Sequence, residues 1–461
     1  MATVGDLFTV LGGRLSASQT IADASRCPLG RVVSDSRDIS PGDVFWALRG
    51  PNHDGQSFLA EAFARGATGA VVAKDVVLPA NKWIIRVANT YQALLHWARW
   101  RRQQCRGSVV AVTGSAGKTT TREMIRTVLG SRLRGTASPH NFNNRYGLPL
   151  SMTAIEPTDD FAVLELGANA FGEIDQLADL CRPDIGVITC IGEAHLAGFG
   201  NRQGVARAKA ELLRWLPANG HAVLVDDPLL HQFSPTCRAP VHWFGSSHCH
   251  LSVNDTASEL GRLSFSIDGC RFCLPVWGRH HLDSALAAIS VAQIFGFALD
   301  EIAGELYKFR AIPMRCDVQQ VRDAWLIDDA YNANPTAMQA AFTLLGDFPA
   351  RGRRIAVCGD MGELGDNAAQ RHYAVGQQAV EQARVTTLIA CGEYAREVIR
   401  GAVDAGLPRQ AAIACRSANE ATPVVEANIA PGDVVLIKGS RMMRMEQITN
   451  GLQRRPRQQA A

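Results

Sequence analysis

The sequence contains no run of about 18 apolar residues, so no membrane span is expected. Its first residues, Met1-Ala2-Thr3-Val4-Gly5-Asp6, lack the basic stretch and apolar core of a secretory leader, and none is expected. Charge of one dominant sign is also missing. The 47 basic and 44 acidic residues leave a net +3, without the basic patch or stripe of a dedicated nucleic-acid binder. The Arg-rich end, Gln453-Arg454-Arg455-Pro456-Arg457, follows the last apolar segment and reads as a solvated tail. No internal repeat or low-complexity linker interrupts the chain.

Cysteine is present, twelve in all, but mostly scattered singly, several inside apolar runs such as Val187-Ile188-Thr189-Cys190 and Ala356-Val357-Cys358. That is the pattern of small buried hydrophobes in a reducing cytoplasm, not of a disulfide framework. One cluster, His248-Cys249-His250 with Cys270 and Cys273, raises the question of zinc. However, Leu263 to Ile267 alternates like a strand, Asp268-Gly269 is a hairpin turn, and Cys270 to Val276 returns. Residues three apart on a strand face opposite sides, so the two thiols diverge and a plain β-hairpin is expected.

The 461 residues suffice for about three domains, and the fold class is α/β. Residues 1–87 read as a small mixed α/β unit, with a strand at Val44 to Leu48 and a helix from Phe58 to Arg65. Residues 88–311 read as a central parallel-sheet domain, with strands at Ser108 to Thr113, Phe161 to Leu166, Asp184 to Thr189 and Ala222 to Val225. Residues 312–461 restart the alternation as a second, Rossmann-like parallel domain, with strands at Trp325 to Ile327, Arg354 to Cys358, Thr387 to Ala390 and Val434 to Ile437.

Directly after the first central strand comes Gly114-Ser115-Ala116-Gly117-Lys118-Thr119-Thr120-Thr121, followed by a helix to about Leu129. Glycines let a backbone curl until its amides face phosphates, and a helix N-terminus adds partial positive charge. Lys118 would reach the β- and γ-phosphates and Thr119 would offer its hydroxyl to Mg²⁺. The loop is shorter than the general phosphate-binding pattern because position 112 is Val.

Other polar residues stand in apolar places. Glu165 ends a buried strand, where open α/β sheets bind ligands; it reads as a Mg²⁺ ligand or a structural ion pair. His195 follows a neighbouring strand end, as a metal or phosphate contact or a loop histidine. A helix over Gln203 to Leu216 carries an apolar stripe of Val205, Leu212, Leu213 and Leu216 with Lys209 at its centre. A snorkelling lysine or a carbamate that ligates metal both fit. His140-Asn141-Phe142-Asn143-Asn144 is amide-rich, suited to hydrogen bonding or to a turn, and Asp328-Asp329-Ala330-Tyr331-Asn332-Ala333-Asn334-Pro335 is either a site or a capped helix start.

Together these motifs resemble the Mur ligases over essentially the whole chain. The short loop from Thr113 to Thr120 is of their type. Asn141-Phe142-Asn143-Asn144 before Gly147-Leu148-Pro149, Glu165-Leu166-Gly167, His195-Leu196 and Asp329 to Pro335 resemble the branch that adds D-alanyl-D-alanine. Gly359 to Gly365 with His372, and Lys438-Gly439-Ser440-Arg441, fit the same branch. The Asp-Asn-Pro-Arg motif of the diaminopimelate-adding sister enzyme is absent.

The resemblance implies a cytoplasmic, monomeric ligase. ATP would phosphorylate the carboxylate ending a UDP-N-acetylmuramoyl-tripeptide, and the D-alanyl-D-alanine amine would attack the acyl phosphate. Lys118 and Mg²⁺ would neutralise the transferring phosphoryl group. Thr119 and Glu165 would hold one Mg²⁺, and His195 with a Lys209 carbamate formed from CO₂ would serve a second. Gly114, Ser115, Ala116, Gly117, Thr120, His281, Arg315, Asp329 and Asn332 would contact ATP. Ser34, Asp35, Ser36, Arg37, Asp54 and Gly55 would hold the UDP part. Asn141, Asn143, Asn144, Tyr331 and Asn334 would meet the peptide substrates. The chain departs from the family where Gly278-Arg279-His280-His281-Leu282-Asp283-Ser284 replaces Gly-x-His-Asn-x-x-Asn. His281 and Ser284 stand where two asparagines serve the adenine. Another Mur-type or folylpolyglutamate-type ligase, or a nucleotide-binding non-catalytic relative, are the alternatives, and the third tripeptide residue, diaminopimelate or lysine, is left open.

Overall fold

β-Branched, uninterrupted apolar runs can be buried on both faces, and here they form the centre of the sheets. In the computed structural model, residues 2–18, 20–50, 53–245, 249 and 251–454 are described. His248 and His250 of the zinc question, and the Arg-rich end from residue 455 onward, lie outside them.

The N-terminal unit is a five-stranded sheet of order β1-β5-β4-β3-β2. It comprises β1 (Arg14–Ala17), β2 (Val32–Val33), β3 (Val44–Trp46), β4 (Gly69–Val72) and β5 (Trp83–Arg86), with β1 alone antiparallel to its neighbour. The central sheet, β11-β10-β9-β6-β8-β7, is wholly parallel. Its strands are β6 (Ser108–Thr113), β7 (Gly135–Ala137), β8 (Phe161–Glu165), β9 (Ile185–Ile188), β10 (His221–Val225) and β11 (Val241–Phe244). Strand β6 alternates between two cores: Val109 and Ala111 face one, Val110 and Val112 the other. The second core is capped by the antiparallel β12 (Val253–Glu259), β13 (Arg262–Ile267) and β14 (Cys270–Leu274). There Cys270 pairs with Ile267 and Cys273 with Ser264, the plain hairpin expected.

The C-terminal sheet has the order β15-β16-β20-β17-β18-β19. Its strands are β15 (Asp317–Val321), β16 (Ala324–Asp329), β17 (Arg354–Gly359), β18 (Thr387–Cys391), β19 (Ala412–Cys415) and β20 (Val434–Lys438), and only β15 runs antiparallel. The helix Thr90–Gln104 joins the first two units. Leu94 and Trp97 belong to the N-terminal core, while Ala98 belongs to the central one. Among the described residues no helix is long and apolar enough to cross a membrane.

Three local expectations need correction. The helix expected over Gln203 to Leu216 is an α-helix only from Arg202 to Ala210, then tightens to a 3₁₀ helix over Glu211–Trp215. Glu211 is why: its carboxylate accepts the amides of Gly172 at 2.8 Å and Asp175 at 3.1 Å, neutralising orphan donors at a neighbouring helix start. Similarly, Gly55–Phe58 is 3₁₀ before the α-helix Leu59–Ala64, because Asp54 caps the tighter turn. Strand β16 runs to Asp329, two residues beyond Ile327, so both acids belong to the strand.

Candidate active site

The turn after β6 is built by two glycines in conformations other residues adopt poorly. Gly114 has φ +148°, and a Cβ there would lie 2.1 Å from the Thr189 hydroxyl. Gly117, at φ +77°, precedes the helix Lys118–Leu129. The end of β9 braces the loop. Thr189 donates to the Ala116 carbonyl at 2.6 Å, and Ser115 donates to the Gly192 carbonyl at 3.1 Å while accepting its amide at 2.9 Å. The Lys118 ammonium donates to the Gly114 carbonyl at 2.7 Å, and burial lowers its pKa.

This loop borders a cavity of about 1120 Å³ between the central and C-terminal sheets. Glu165 lies in its wall, buried. One carboxylate oxygen accepts the Thr119 hydroxyl at 2.9 Å and Arg122 at 3.3 Å; the other accepts the Asn143 amide at 2.8 Å. The ion-pair reading of Glu165 is thus partly realised, through an arginine the sequence did not single out. Asn144 accepts the amides of Tyr146 and Gly147 at 3.0 and 2.9 Å, so it also shapes a turn, and Asn141 lines the cavity beside it.

Lys209 is 1% exposed, which removes the snorkelling account. Among the described residues its side-chain nitrogen reaches the Ala168 carbonyl at 3.5 Å and the Phe199 ring at 5.4 Å. Desolvation first, then the charge of Lys118, lowers its pKa to about 7. His195 adopts a left-handed backbone, φ 54°, and its Nδ1 meets the carboxylate of Glu363 from the C-terminal unit. That contact depresses the Glu363 pKa. Glu363 falls in a motif the sequence displayed, but nothing local pointed to His195.

The C-terminal unit closes on the loop. Arg315 donates to the Thr119 hydroxyl at 3.3 Å and stacks over Tyr331 at 3.8 Å. Asn334 caps the helix Pro335–Asp347 by accepting the Ala337 amide at 2.8 Å, and its Nδ2 donates to the Ser115 carbonyl at 3.4 Å. The segment is therefore both a capped helix start and part of the cavity wall. Asp329 accepts from Lys438 at 2.6 Å, and Lys438 also holds the Asn332 carbonyl at 2.9 Å. Near the Gly114–Thr119 loop His281 is buried, and its Nε2 has no hydrogen-bond partner among the described residues. Burial, then neighbouring His280, holds its pKa well below the usual value. The Ser284 hydroxyl lies 3.2 Å from where a Gly117 Cβ would stand.

The residues of the first unit are not brought into this cavity. Asp35 pairs with Arg37 at 2.6 Å, the buried Ser36 donates to Glu61 at 2.9 Å, and Asp54 pairs with Lys74 at 2.9 Å. Ser34 and Gly55 likewise lie outside its lining. Conversely, Tyr91, Arg99, Arg145 and Tyr146 line it without having been singled out, since each looks like an ordinary surface residue in sequence.

A glycine-built loop at a helix start, a buried acid beside it and a C-terminal unit packed over both are the arrangement of an ATP-using ligase of the multidomain kind. The model of the Mur ligase middle domain matches residues 112–292, and that of the Mur ligase, glutamate ligase domain matches 314–441. The chain belongs to the Mur ligase family. It is 33% identical to the UDP-N-acetylmuramoyl-tripeptide–D-alanyl-D-alanine ligase of Bacillus subtilis, over 91% of this chain and 92% of that protein. The crystal structure of MurF from Acinetobacter baumannii superposes with a TM-score of 0.82 at 29% identity, over 98% of this chain and 99% of that one. MurF ligase from Thermotoga maritima, in complex with ADP, gives 0.76 at 28% identity over 92% and 97%.

Proposed function

We propose that the chain joins D-alanyl-D-alanine to UDP-N-acetylmuramoyl-tripeptide at the expense of ATP, through an acyl phosphate. One observation carries the chemistry: Lys118, Thr119 and Glu165 share a cavity wall with Arg315, which the C-terminal unit delivers to Thr119. The three units are read as residues 1–87, 88–311 and 312–461. The first receives the UDP part through Ser34, Asp35, Ser36, Arg37, Asp54 and Gly55 once their internal pairs open.

The donor set suits Mg²⁺. The Thr119 hydroxyl and a Glu165 oxygen, both hard oxygen donors, point at each other at 2.9 Å beside the phosphate loop. When bound, the ion neutralises charge on the phosphates. Among the described residues no three His, Cys, Asp or Glu side chains converge as a metal site. Phosphate and water oxygens complete such a shell in nucleotide enzymes. Lys118 follows the γ-phosphoryl group to the peptide carboxylate, and Arg315 adds positive charge where the phosphoryl oxygens gather. Gly114 to Thr120 offer backbone amides; His281, Asp329 and Asn332 face the rest of the nucleotide. Asn141, Asn143, Asn144, Tyr331 and Asn334 position the peptide ends. The C-terminal unit shields the acyl phosphate from water.

Lys209 has the surroundings of a carbamate. It is buried with no carboxylate partner among the described residues, and its amine is largely neutral above pH 7. A neutral amine adds CO₂ and releases one proton, turning the buried neutral amine into a carbamate anion that His195 and a second Mg²⁺ would use. A single chain supplies every side chain named, in keeping with a monomer. Nucleotide substrates and free thiols fit the cytoplasm.

The test is phosphate release measured with ATP, UDP-N-acetylmuramoyl-tripeptide and D-alanyl-D-alanine. Release dependent on all three is expected. Release that ignores the dipeptide overturns the reading.

A further inference from the structure

Beyond Glu165 the cavity continues as an arm between the helix Thr90–Gln104, the loop of residues 139–146 and the helix Glu173–Cys181. The phosphate chemistry uses none of Tyr91, Arg99, Arg145 and Tyr146, which line it. The rings of Tyr91 and Tyr146 meet edge to face with centroids 5.1 Å apart. The Arg145 guanidinium lies 4.8 Å from the Tyr146 ring centre, and its Nη2 donates to the Tyr146 hydroxyl at 3.2 Å. Stacking and one hydrogen bond hold this planar fork in place, leaving its other donors free. The positive fields of Arg99 and Arg145 both reach the Tyr91 phenol.

Charge in the arm is unevenly spent. Glu173 accepts the amides of Asn169 at 2.7 Å and Ala170 at 3.3 Å. Asp179 pairs with Arg99 at 3.2 Å and with Arg182. Among the described residues Arg145 has no carboxylate partner; its polar contact is the Tyr146 hydroxyl. The arm is therefore prepared for an anion, and its own acids are already engaged.

Its position says which anion. Asn143 donates to Glu165 at 2.8 Å, at the phosphoryl-transfer end of the cavity. Arg145 is two residues further, a reach of at most about 7 Å along the chain. An extended side chain with a carboxylate four carbons from its own Cα spans roughly the same length. The arm also lies against the helix leading from the N-terminal unit, the side from which the UDP-linked peptide arrives.

We propose that Arg145, stacked on Tyr146 and flanked by Arg99 and Tyr91, receives a carboxylate at the far end of the tripeptide's third side chain. The enzyme would then favour diaminopimelate over lysine at that position. This rests on the ligase reading above.

Steady-state kinetics with the diaminopimelyl and the lysyl UDP-tripeptide test it, in the wild type, Arg145→Gln, Arg145→Lys and Arg99→Gln. The wild type should prefer the diaminopimelyl substrate. Arg145→Gln should lower the ratio of the two kcat/KM values about tenfold or more, as befits loss of a charge-assisted hydrogen bond, mainly through KM. Arg145→Lys should keep part of the preference and Arg99→Gln should lower it less. Thermal melting of the variants checks that they fold, as an exposed loop residue should permit. A wild type without preference overturns the proposal, as does an unchanged ratio in Arg145→Gln. A change confined to the KM of D-alanyl-D-alanine also overturns it, assigning the arginine to the dipeptide's carboxylate. Failure of the ligase reading would look different: no dipeptide-dependent phosphate release from the wild type with either tripeptide.

Discussion

Replacing Lys209 with methionine keeps the volume and removes the amine, and the structure sets what that should do to stability. With its pKa lowered from 10.5 to about 7, the lysine of the folded protein must lose a proton that the unfolded chain retains. That costs about 4 kcal/mol at pH 7. The sign follows from proton counting. Between pH 7 and 10.5 the unfolded state binds more protons, so wild-type stability rises with pH across this window as the cost fades. At pH 9.5 only about 1 kcal/mol remains. Lys209→Met should therefore stabilise the protein by several kcal/mol at pH 7 and by much less at pH 9.5. Urea unfolding in CO₂-free buffer measures both values. Added bicarbonate should narrow the gap by binding only the folded wild type, and the variant should be inactive. Equal differences at the two pH values, or a variant less stable than wild type at pH 7, would refute the reasoning that burial without a partner strips Lys209 of its proton.

Glu165→Ala should destabilise the protein by about 3 kcal/mol or more, because it removes the carboxylate facing the buried Arg122 guanidinium, and Glu165→Gln should recover only part of that loss, since its amide oxygen can accept from Arg122 but carries no charge; denaturant midpoints order the three proteins, and both variants should lose phosphate transfer. Gly192→Ala places a Cβ 2.4 Å from the Thr336 hydroxyl across the closed cleft, so turnover should fall at least about tenfold while secondary structure is kept, with partial recovery in the Gly192→Ala, Thr336→Ala double variant. His281→Leu removes a buried unpaired nitrogen and should raise stability by about 1 kcal/mol while raising the KM for ATP; a loss of stability would mean the nitrogen has a partner after all. Because His281 stays neutral, no limb of the pH–rate profile between pH 5 and 8 should vanish in this variant.

The features legible in sequence are those that short windows encode. Strand β6 alternates between two cores, and only residues buried on both faces can satisfy that, so Val109 to Val112 announces itself. The turn at Gly114 and Gly117 needs backbone conformations that glycine supplies. A lysine centred in an apolar stripe is visible by helical period, and the structure buries it. The same window failed past Ala210, where Glu211 serves another helix and the turn tightens. Periodicity records which face is apolar, not which distant donor a side chain answers to.

By itself, then, the sequence determined the family, the order of α/β units and the glycine-built turn ahead of Lys118, because spacing and backbone preference act over a few residues. Only the tertiary structure decided the electrostatic state of the site. Arg122 comes to Glu165 across 43 residues, Glu363 to His195 across 168, and Arg315 to Thr119 across 196. Whether a buried charge is paired, neutral or left waiting for a ligand depends on such partners, and Coulomb energy in a desolvated cleft follows distance in space, not along the chain.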